Sequence, residues 1–439
     1  MREPDHEQQN AAIGRLTDTI GFVAAKSAQS RLEEHHMSTC TLSRRGSEAP
    51  ASPIRSLAGV AREVASRGIT VHALNIGQPD IATPEAITQA YRDYHDTVLA
   101  YAPSDGFPEL RQAIAEWYTS SGSISRPVED DDIVITTGGS EALLFAIAAV
   151  TDPGDEILVC EPYYTNYAGY AHLLSVEVSP VTLSAADGFR VHPDKIAEAI
   201  TGRTRALVLP TPGNPTGTVV SADDLARIAA ICVQHDIFFI CDEVYREFVY
   251  DVPPGTRAAS LLDQPVADEH AIIIDSVSKR YSACGARMGW LVTRNAEVRE
   301  AALRFGQARL SPATVDQYAT LAALNVPEQW FHEVIAEYQA RRNLLVEGLR
   351  SIGLDVTMPE GAFYLAIPLP VDDAEAFCTW LVGEFDLDGE TVCLAPLSGF
   401  YRTEGLGKNE VRMTYVLKQE VLSRCVEILD AAIKAWKNR

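Results

Sequence analysis

Ala271-Ile-Ile-Ile-Asp-Ser-Val-Ser-Lys-Arg-Tyr-Ser-Ala-Cys-Gly-Ala-Arg-Met-Gly-Trp290 opens on a short apolar run, 271–274, that reads as a buried strand. Two hydroxyls follow, Ser276 and Ser278, then Lys279, and Arg287 comes between Gly285 and Gly289. A lysine at the end of a buried strand is costly as a cation and can lose its proton there. The neutral amine is a nucleophile suited to a Schiff base with a carbonyl. Adjacent hydroxyls and a guanidinium are what a phosphate needs. Pyridoxal phosphate combines that carbonyl with that phosphate. A single lysine in a polar loop is far more often a plain surface residue, so the rest of the chain must complete such a site.

The surrounding pattern is an alternation of strands and helices. Strands are expected at 132–137, 156–159, 174–178, 205–209, 237–240 and 271–274, with a further apolar run at 290–293. Helices are expected at 142–150 and 225–235. Continuously apolar strands between helices imply an α/β fold with a mostly parallel sheet covered on both faces. Ligands of such sheets bind beyond the carboxyl ends of the strands, where the polar clusters of this chain fall. Before the alternation come an extended arm over 46–53, a helix over 54–67, a strand over 71–76 and helices over 84–95 and 108–118. After residue 300 come a long helix over 328–351, short strands near 363–367 and 411–416, and a last helix over 419–436. The organisation read from this is an extension over 1–45, helical across 11–34; an arm and part of a small domain over 46–95; a large domain over 96–315; and a smaller α+β domain closed by 316–439.

Composition narrows the partners. With 439 residues and 46% apolar content the chain can bury a large core. The 37 basic and 60 acidic residues give a net charge of −23, which argues against nucleic acid or an anionic membrane as partner. The eight cysteines form no Cys-x-x-Cys pair, and several lie in strand-like runs, which fits reduced thiols in a cytoplasmic protein rather than a disulfide scaffold or zinc site. No apolar run is long enough to span a membrane.

Three other turns carry chemistry. Gly138-Gly-Ser-Glu141 joins a strand to a helix, whose first N–H groups with the Ser140 hydroxyl make an anion site, although it lacks the Gly-Lys-Ser/Thr of a nucleotide loop. Asn214-Pro-Thr-Gly217 is a turn after a strand. Asp242 follows the buried run 238–240, where a carboxylate needs a cation; a protonated pyridine nitrogen or a structural arginine would serve.

Taken together and in order, these stretches resemble the aspartate aminotransferase family (class I/II aminotransferases), which are fold-type I pyridoxal-phosphate enzymes. The matching segments are Asn75-Ile-Gly-Gln-Pro-Asp80; Tyr101 with Gly106 and Leu110-Arg111; Gly139-Ser140-Glu141; Pro162-Tyr-Tyr164; Asn214-Pro-Thr-Gly217; Asp242-Glu-Val-Tyr245; Ser276-Val-Ser-Lys279; Arg287; and Val411-Arg412. They cover residues 42–439, leaving the N-terminal extension outside the pattern.

The resemblance implies a role for each. Lys279 would hold pyridoxal 5'-phosphate as an internal aldimine and act as general base. Asp242 would pair with the pyridine nitrogen, Asn214 and Tyr245 would bond the ring oxygen, and Tyr164 would stack on the ring. Gly139, Ser140, Glu141 (through its backbone N–H), Ser276, Ser278 and Arg287 would bind the phosphate. Tyr101 would reach the phosphate of a partner subunit, implying a homodimer with shared sites. Arg412 would clamp the substrate α-carboxylate, assisted by Asn214 and Gly77. The implied reaction moves the amino group of an L-amino acid to a 2-oxo acid. Elimination, replacement or oxidative deamination would use the same residues, and a silent regulator would keep the same fold. No decisive motif marks a second arginine for a distal carboxylate; Arg304, Arg309 and Arg402 are candidates.

Overall fold

A computed structural model of the chain describes residues 40–120 and 124–439. The helix expected over 11–34 lies outside them. Residues 40–48 belong to a short unit of their own, in which the Ser43 hydroxyl accepts from Gly46 N (3.1 Å) and starts the single helical turn Arg44–Ser47.

Among its described residues the unit Ala49–Arg439 contains twelve strands: β1 Thr70–Ala73, β2 Ile133–Thr136, β3 Glu156–Glu161, β4 Glu177–Thr182, β5 Thr204–Pro210, β6 Phe238–Asp242, β7 Ala271–Ser276, β8 Gly289–Val292, β9 Tyr364–Pro368, β10 Glu390–Cys393, β11 Ala395–Pro396 and β12 Glu410–Thr414. Seven of them form one sheet in the order β2-β8-β7-β6-β5-β3-β4. From β7 to β4 every pairing is parallel, whereas β8 runs antiparallel to both its neighbours. The apolar runs of the sequence become strands buried on both faces. Leu158, Leu207, Phe239, Ile273 and Trp290 pack into one face, and Ile157, Ala206, Val208, Ile240, Ile272 and Leu291 into the other. That is the two-residue alternation of a pleated strand. The chain has the α/β, fold-type I architecture, with a mostly parallel central sheet between helices. A further core gathers β9, β12 and the helices Glu328–Ser351, Ala374–Gly383 and Gln419–Trp436 around Leu345, Phe363, Phe377, Met413 and Leu429.

Three local expectations differ from the structure, each for a stated reason. The helix expected over 54–67 is a 3₁₀ turn, Pro53–Arg55, followed by the helix Ala58–Ser66. The carbonyl of Ile54 accepts from Asn75 Nδ2 (2.9 Å), a tertiary bond that competes with continued helix. Gly138-Gly-Ser-Glu141 is the first turn of the helix Gly138–Val150, with the Glu141 carboxylate accepting from Thr137 N (2.8 Å). The strand expected over 174–178 is the end of the helix Asn166–Leu174, stopped at Ser175 with φ 60°, and β4 begins two residues later. β4 is an edge strand with Pro180 at its centre, so its apolar signal is weak.

The turn that carries Lys279 is fixed from below. β7 runs into the one-turn helix Val277–Arg280, whose cap is Ser276 with its hydroxyl accepting from Ser278 N (3.1 Å). Arg280 is fully buried: Nη2 donates to Asp275 Oδ2 (2.6 Å), Nε lies 2.9 Å from Glu247 Oε1, and the guanidinium sits 4.3 Å from the Trp117 ring centroid. Tyr118 OH also donates to Asp275 Oδ2 (2.7 Å) and accepts from Trp290 Nε1 (3.0 Å). Removing one member of a buried pair leaves an uncompensated charge. Arg280→Met should therefore lower the unfolding free energy by about 3–5 kcal/mol in a urea titration, and a loss below about 1 kcal/mol would show that this pair does not secure the turn.

Candidate active site

β5, β6 and β7 deliver their carboxyl ends to one cavity of about 470 Å³. Asp242 is the last residue of β6, Asn214 lies in the turn after β5, and Lys279 lies just after β7. Lys279 is half-buried; its Nζ donates to Gly77 O (2.9 Å) and lies 3.6 Å from Cys284 Sγ. Asp242 is buried and accepts from Tyr167 OH (2.9 Å) and Val244 N (3.4 Å). Burial pushes its carboxyl up to about 6, against the lowering effect of the Tyr167 hydrogen bond. Among the described residues no Lys, Arg or His nitrogen comes within ion-pair distance of it.

One end of the cavity is a set of donors. Ser140 lies in the first turn of the helix Gly138–Val150, whose free amides and dipole favour an anion. Ser276 Oγ lies 2.8 Å from Ser278 Oγ, and Arg287 Nη1 lies 3.5 Å from Ser278 Oγ while donating to Cys284 O (2.9 Å). Arg287 has φ 51° and approaches the Cα of Gly138 so closely that a Cβ there would overlap its guanidinium. The glycine is what lets the arginine reach the helix start.

The other end is built by a second buried charge. Arg412 on β12 is 1% exposed and, among the described residues, has no acidic partner within ion-pair distance. Its Nη1 donates to Asn214 Oδ1 (3.0 Å), its Nη2 donates to Asn75 O, and its Nε has no hydrogen-bond partner among the described residues. The guanidinium lies 4.7 Å from the Tyr364 ring centroid, and burial lowers its pKa. Tyr364 OH is 2.7 Å from Tyr245 OH, whose own pKa burial raises. Tyr164 stands edge-on to Tyr167 with centroids 5.6 Å apart, and its hydroxyl accepts from Asn166 Nδ2 (2.9 Å).

Gly77, Gly139, Ser140, Tyr164, Asn214, Asp242, Tyr245, Ser276, Ser278, Lys279, Arg287 and Arg412 thus share one cavity. Glu141 is not in its lining, and its carboxylate caps the helix instead. Tyr101 also lies outside the lining and is 79% exposed. Tyr364, Tyr167, Cys284, Arg55 and Gln78 line it without having been singled out by the sequence. Tyr167 lies three residues after Tyr164 in one tyrosine-rich segment; nothing in one dimension pointed to Tyr364 or Arg55. Arg304, Arg309 and Arg402 do not line the cavity and face Glu300 (3.5 Å), Glu141 (3.6 Å) and Glu177 (4.0 Å). Among the described residues no helix is long and apolar enough to cross a membrane, and no group of three or more His, Cys, Asp or Glu is placed to hold a metal ion.

The chain belongs to the aminotransferases of class I and II, whose family model matches residues 69–429. It is 32% identical over 396 residues to the aspartate/prephenate aminotransferase of Thermus thermophilus, covering 88% of this chain and 97% of that one. Its fold matches the crystal structure of the aspartate aminotransferase from Rhizobium meliloti with a TM-score of 0.81 at 30% identity, over 90% of this chain and 99% of that one. The alanine aminotransferase from Pyrococcus furiosus gives a TM-score of 0.81 at 28% identity, over 90% and 100%. The family works with pyridoxal phosphate on amino and 2-oxo acids.

The buried carboxylate has a measurable signature. An acid whose pKa rises on folding, here from 3.8 to about 6, costs the folded state stability as pH climbs through that interval. Asp242→Asn removes the cost, so in the ligand-free protein it should raise the unfolding free energy at pH 8 by about 3 kcal/mol. The gain should fade as the pH is lowered through 6 toward 4. Denaturant titrations at pH 8 and pH 4 check this, and equal stabilities at pH 8 would contradict it.

Proposed function

We propose that this protein is an aminotransferase that moves the amino group of an L-amino acid to a 2-oxo acid, using pyridoxal 5'-phosphate attached to Lys279. The observation that carries the reading is the pair of buried charges, Asp242 and Arg412, each without an ionic partner among the described residues and both lining the cavity that holds Lys279. Charges in such positions are expensive unless a ligand completes them. The residues fit the cofactor. Asp242 suits a protonated pyridine nitrogen, and Asn214 and Tyr245 can bond a ring oxygen. Tyr164 can cover the ring face. Gly139, Ser140, Glu141 through its N–H, Ser276, Ser278 and Arg287 form the phosphate end. The bound cofactor supplies a ring that takes up the electrons released when the substrate's α C–H bond breaks.

The protein's own groups do the rest. Arg412, braced by Asn214 and Asn75, offers its fork to the α-carboxylate, and the unpartnered Nε supports the need for an added acceptor. This orients the α-carbon toward Lys279. With the cofactor bound, Lys279 Nζ would be the base placed to take the α-proton and return it. The Gly77 carbonyl, 2.9 Å from Nζ, gives that amine a resting position. A second 2-oxo acid laid on Arg412 runs the sequence backwards. Tyr101, exposed on this subunit, is assigned to the phosphate end of a partner's site in a cytoplasmic homodimer. We assign 96–315 to the cofactor-binding domain and 316–439, with part of 46–95, to the smaller one.

The test is direct. Pyridoxal phosphate is added, reduced in place with borohydride and located by peptide mapping; the label is expected on Lys279. With a single amino acid and no 2-oxo acid, the protein should form one equivalent of 2-oxo product and pyridoxamine phosphate. Lys279→Ala should lower kcat by at least about 10³-fold. Label on another residue, or continuous ammonia release without an acceptor, would overturn the reading.

A further inference from the structure

The two ends of the cavity meet at one lining side chain that the proposed function leaves without a duty, Tyr364. It is buried on β9. β9 and β12 pair antiparallel with Tyr364 opposite Thr414, so Arg412, two residues earlier on β12, is its diagonal neighbour on the same face. The Arg412 guanidinium lies 4.7 Å from the Tyr364 ring centroid. Tyr245 arrives from the other side, in the turn that follows Asp242 at the end of β6, and its hydroxyl is 2.7 Å from that of Tyr364. Among the described residues these two buried hydroxyls bond to each other and to nothing else.

Neither ring is free to turn. The two stand at 89° with centroids 5.5 Å apart, Phe363 packs edge-on to Tyr245 (87°, 5.2 Å), and the Tyr364 ring fills the space that a Cβ at Gly77 would need. Two hydroxyls bonded to each other use one hydrogen between them and leave the other for a further acceptor. A cation on the face of a phenol ring draws electron density from it and makes its O–H the better donor. Arg412 holds that place on Tyr364, so Tyr364 donates and Tyr245 accepts. The Tyr245 hydrogen is then the one left for a ligand. Hydrogen bonds in series strengthen one another, and a hydroxyl that accepts is a stronger donor for it.

We propose that Tyr364 is a positioning residue that acts through Tyr245: by donating to Tyr245 it commits the Tyr245 hydrogen to the oxygen of the cofactor ring, and so loosens the proton on the Lys279 nitrogen once the cofactor is attached there. The proposal rests on the reading of Lys279 as the attachment point. A stronger donor on the ring oxygen steadies its negative charge, which the positive nitrogen otherwise offsets, and the nitrogen then holds its proton less firmly.

The visible absorption of the loaded protein changes when that nitrogen loses its proton, so the midpoint of a spectrophotometric pH titration reads the effect without turnover. Tyr364→Phe keeps the ring beside Arg412 and Gly77 and removes only the hydroxyl. It should raise the midpoint by about 0.5 pH unit. Tyr245→Phe should raise it by about 1–2 pH units. In a protein that already carries Tyr245→Phe, Tyr364→Phe should add nothing, because the relay it feeds is gone. The other charged or titratable groups lining the cavity, Asp242, Cys284, Arg55, Arg287, Arg412, Tyr164 and Tyr167, are the same in every variant. An unmoved or lowered midpoint in Tyr364→Phe overturns the proposal. So does an equal rise with and without the Tyr245 hydroxyl, which would make the influence of Tyr364 direct or merely structural. If the wild-type protein takes up the cofactor and converts no amino acid, the aminotransferase reading falls, and the titration still decides the role of Tyr364. If no cofactor attaches to Lys279, both fall.

Discussion

Asp242 and Arg412 are opposite charges, buried in the lining of one cavity, that the fold keeps from pairing with each other. Each is surrounded by neutral hydrogen-bonding groups, Tyr167 and the Val244 amide for the carboxylate, Asn214 and the Asn75 carbonyl for the guanidinium. Such partners hold a charge in place without cancelling it. The free energy lost on burying both charges is offset elsewhere by the two apolar faces of the seven-stranded sheet and by the core around β9 and β12. The architecture can therefore be seen as a device for keeping two charges apart with Lys279 in the same cavity. β6 delivers one of them and β12 the other, from segments 170 residues apart (412 minus 242).

Glycine makes the close approaches this requires. At Gly138 the absence of a side chain lets Arg287 reach the helix start, and at Gly77 a Cβ would run into the Tyr364 ring. Both ends of the cavity depend on backbone lying closer to a functional side chain than any other residue permits. Stability and recognition are thus coupled at the same positions, and substitutions there would disturb both.

Much of this arrangement was legible in one dimension. Parallel strands buried on both faces announce themselves as apolar runs, and site residues at their carboxyl ends follow from the architecture. Lys279, Asp242 and Asn214 could be placed for that reason. Tyr364 and Arg55 could not. Tyr364 faces Arg412 only because β9 pairs antiparallel with β12, with Tyr364 opposite Thr414, and nothing local encodes that register. Arg55 lies in what reads as an amphipathic helix, and only the tertiary bond from Asn75 turns that segment into a short turn at the cavity wall. β4 was misplaced because an edge strand is half exposed and lacks the apolar contrast of its neighbours. Local pattern reports burial well and long-range pairing poorly.

Lys279 and Arg280 are consecutive residues with opposite duties. On the proposed reading the first would swing between bonded and free states in every turnover, while the second is locked between Asp275, Glu247 and Trp117. Anchoring the neighbour confines that motion to the four side-chain torsions of the lysine and keeps its backbone still. The amine is then tethered to a stationary point, so under that reading its return after each release would be a short search through rotamers with no refolding of the turn.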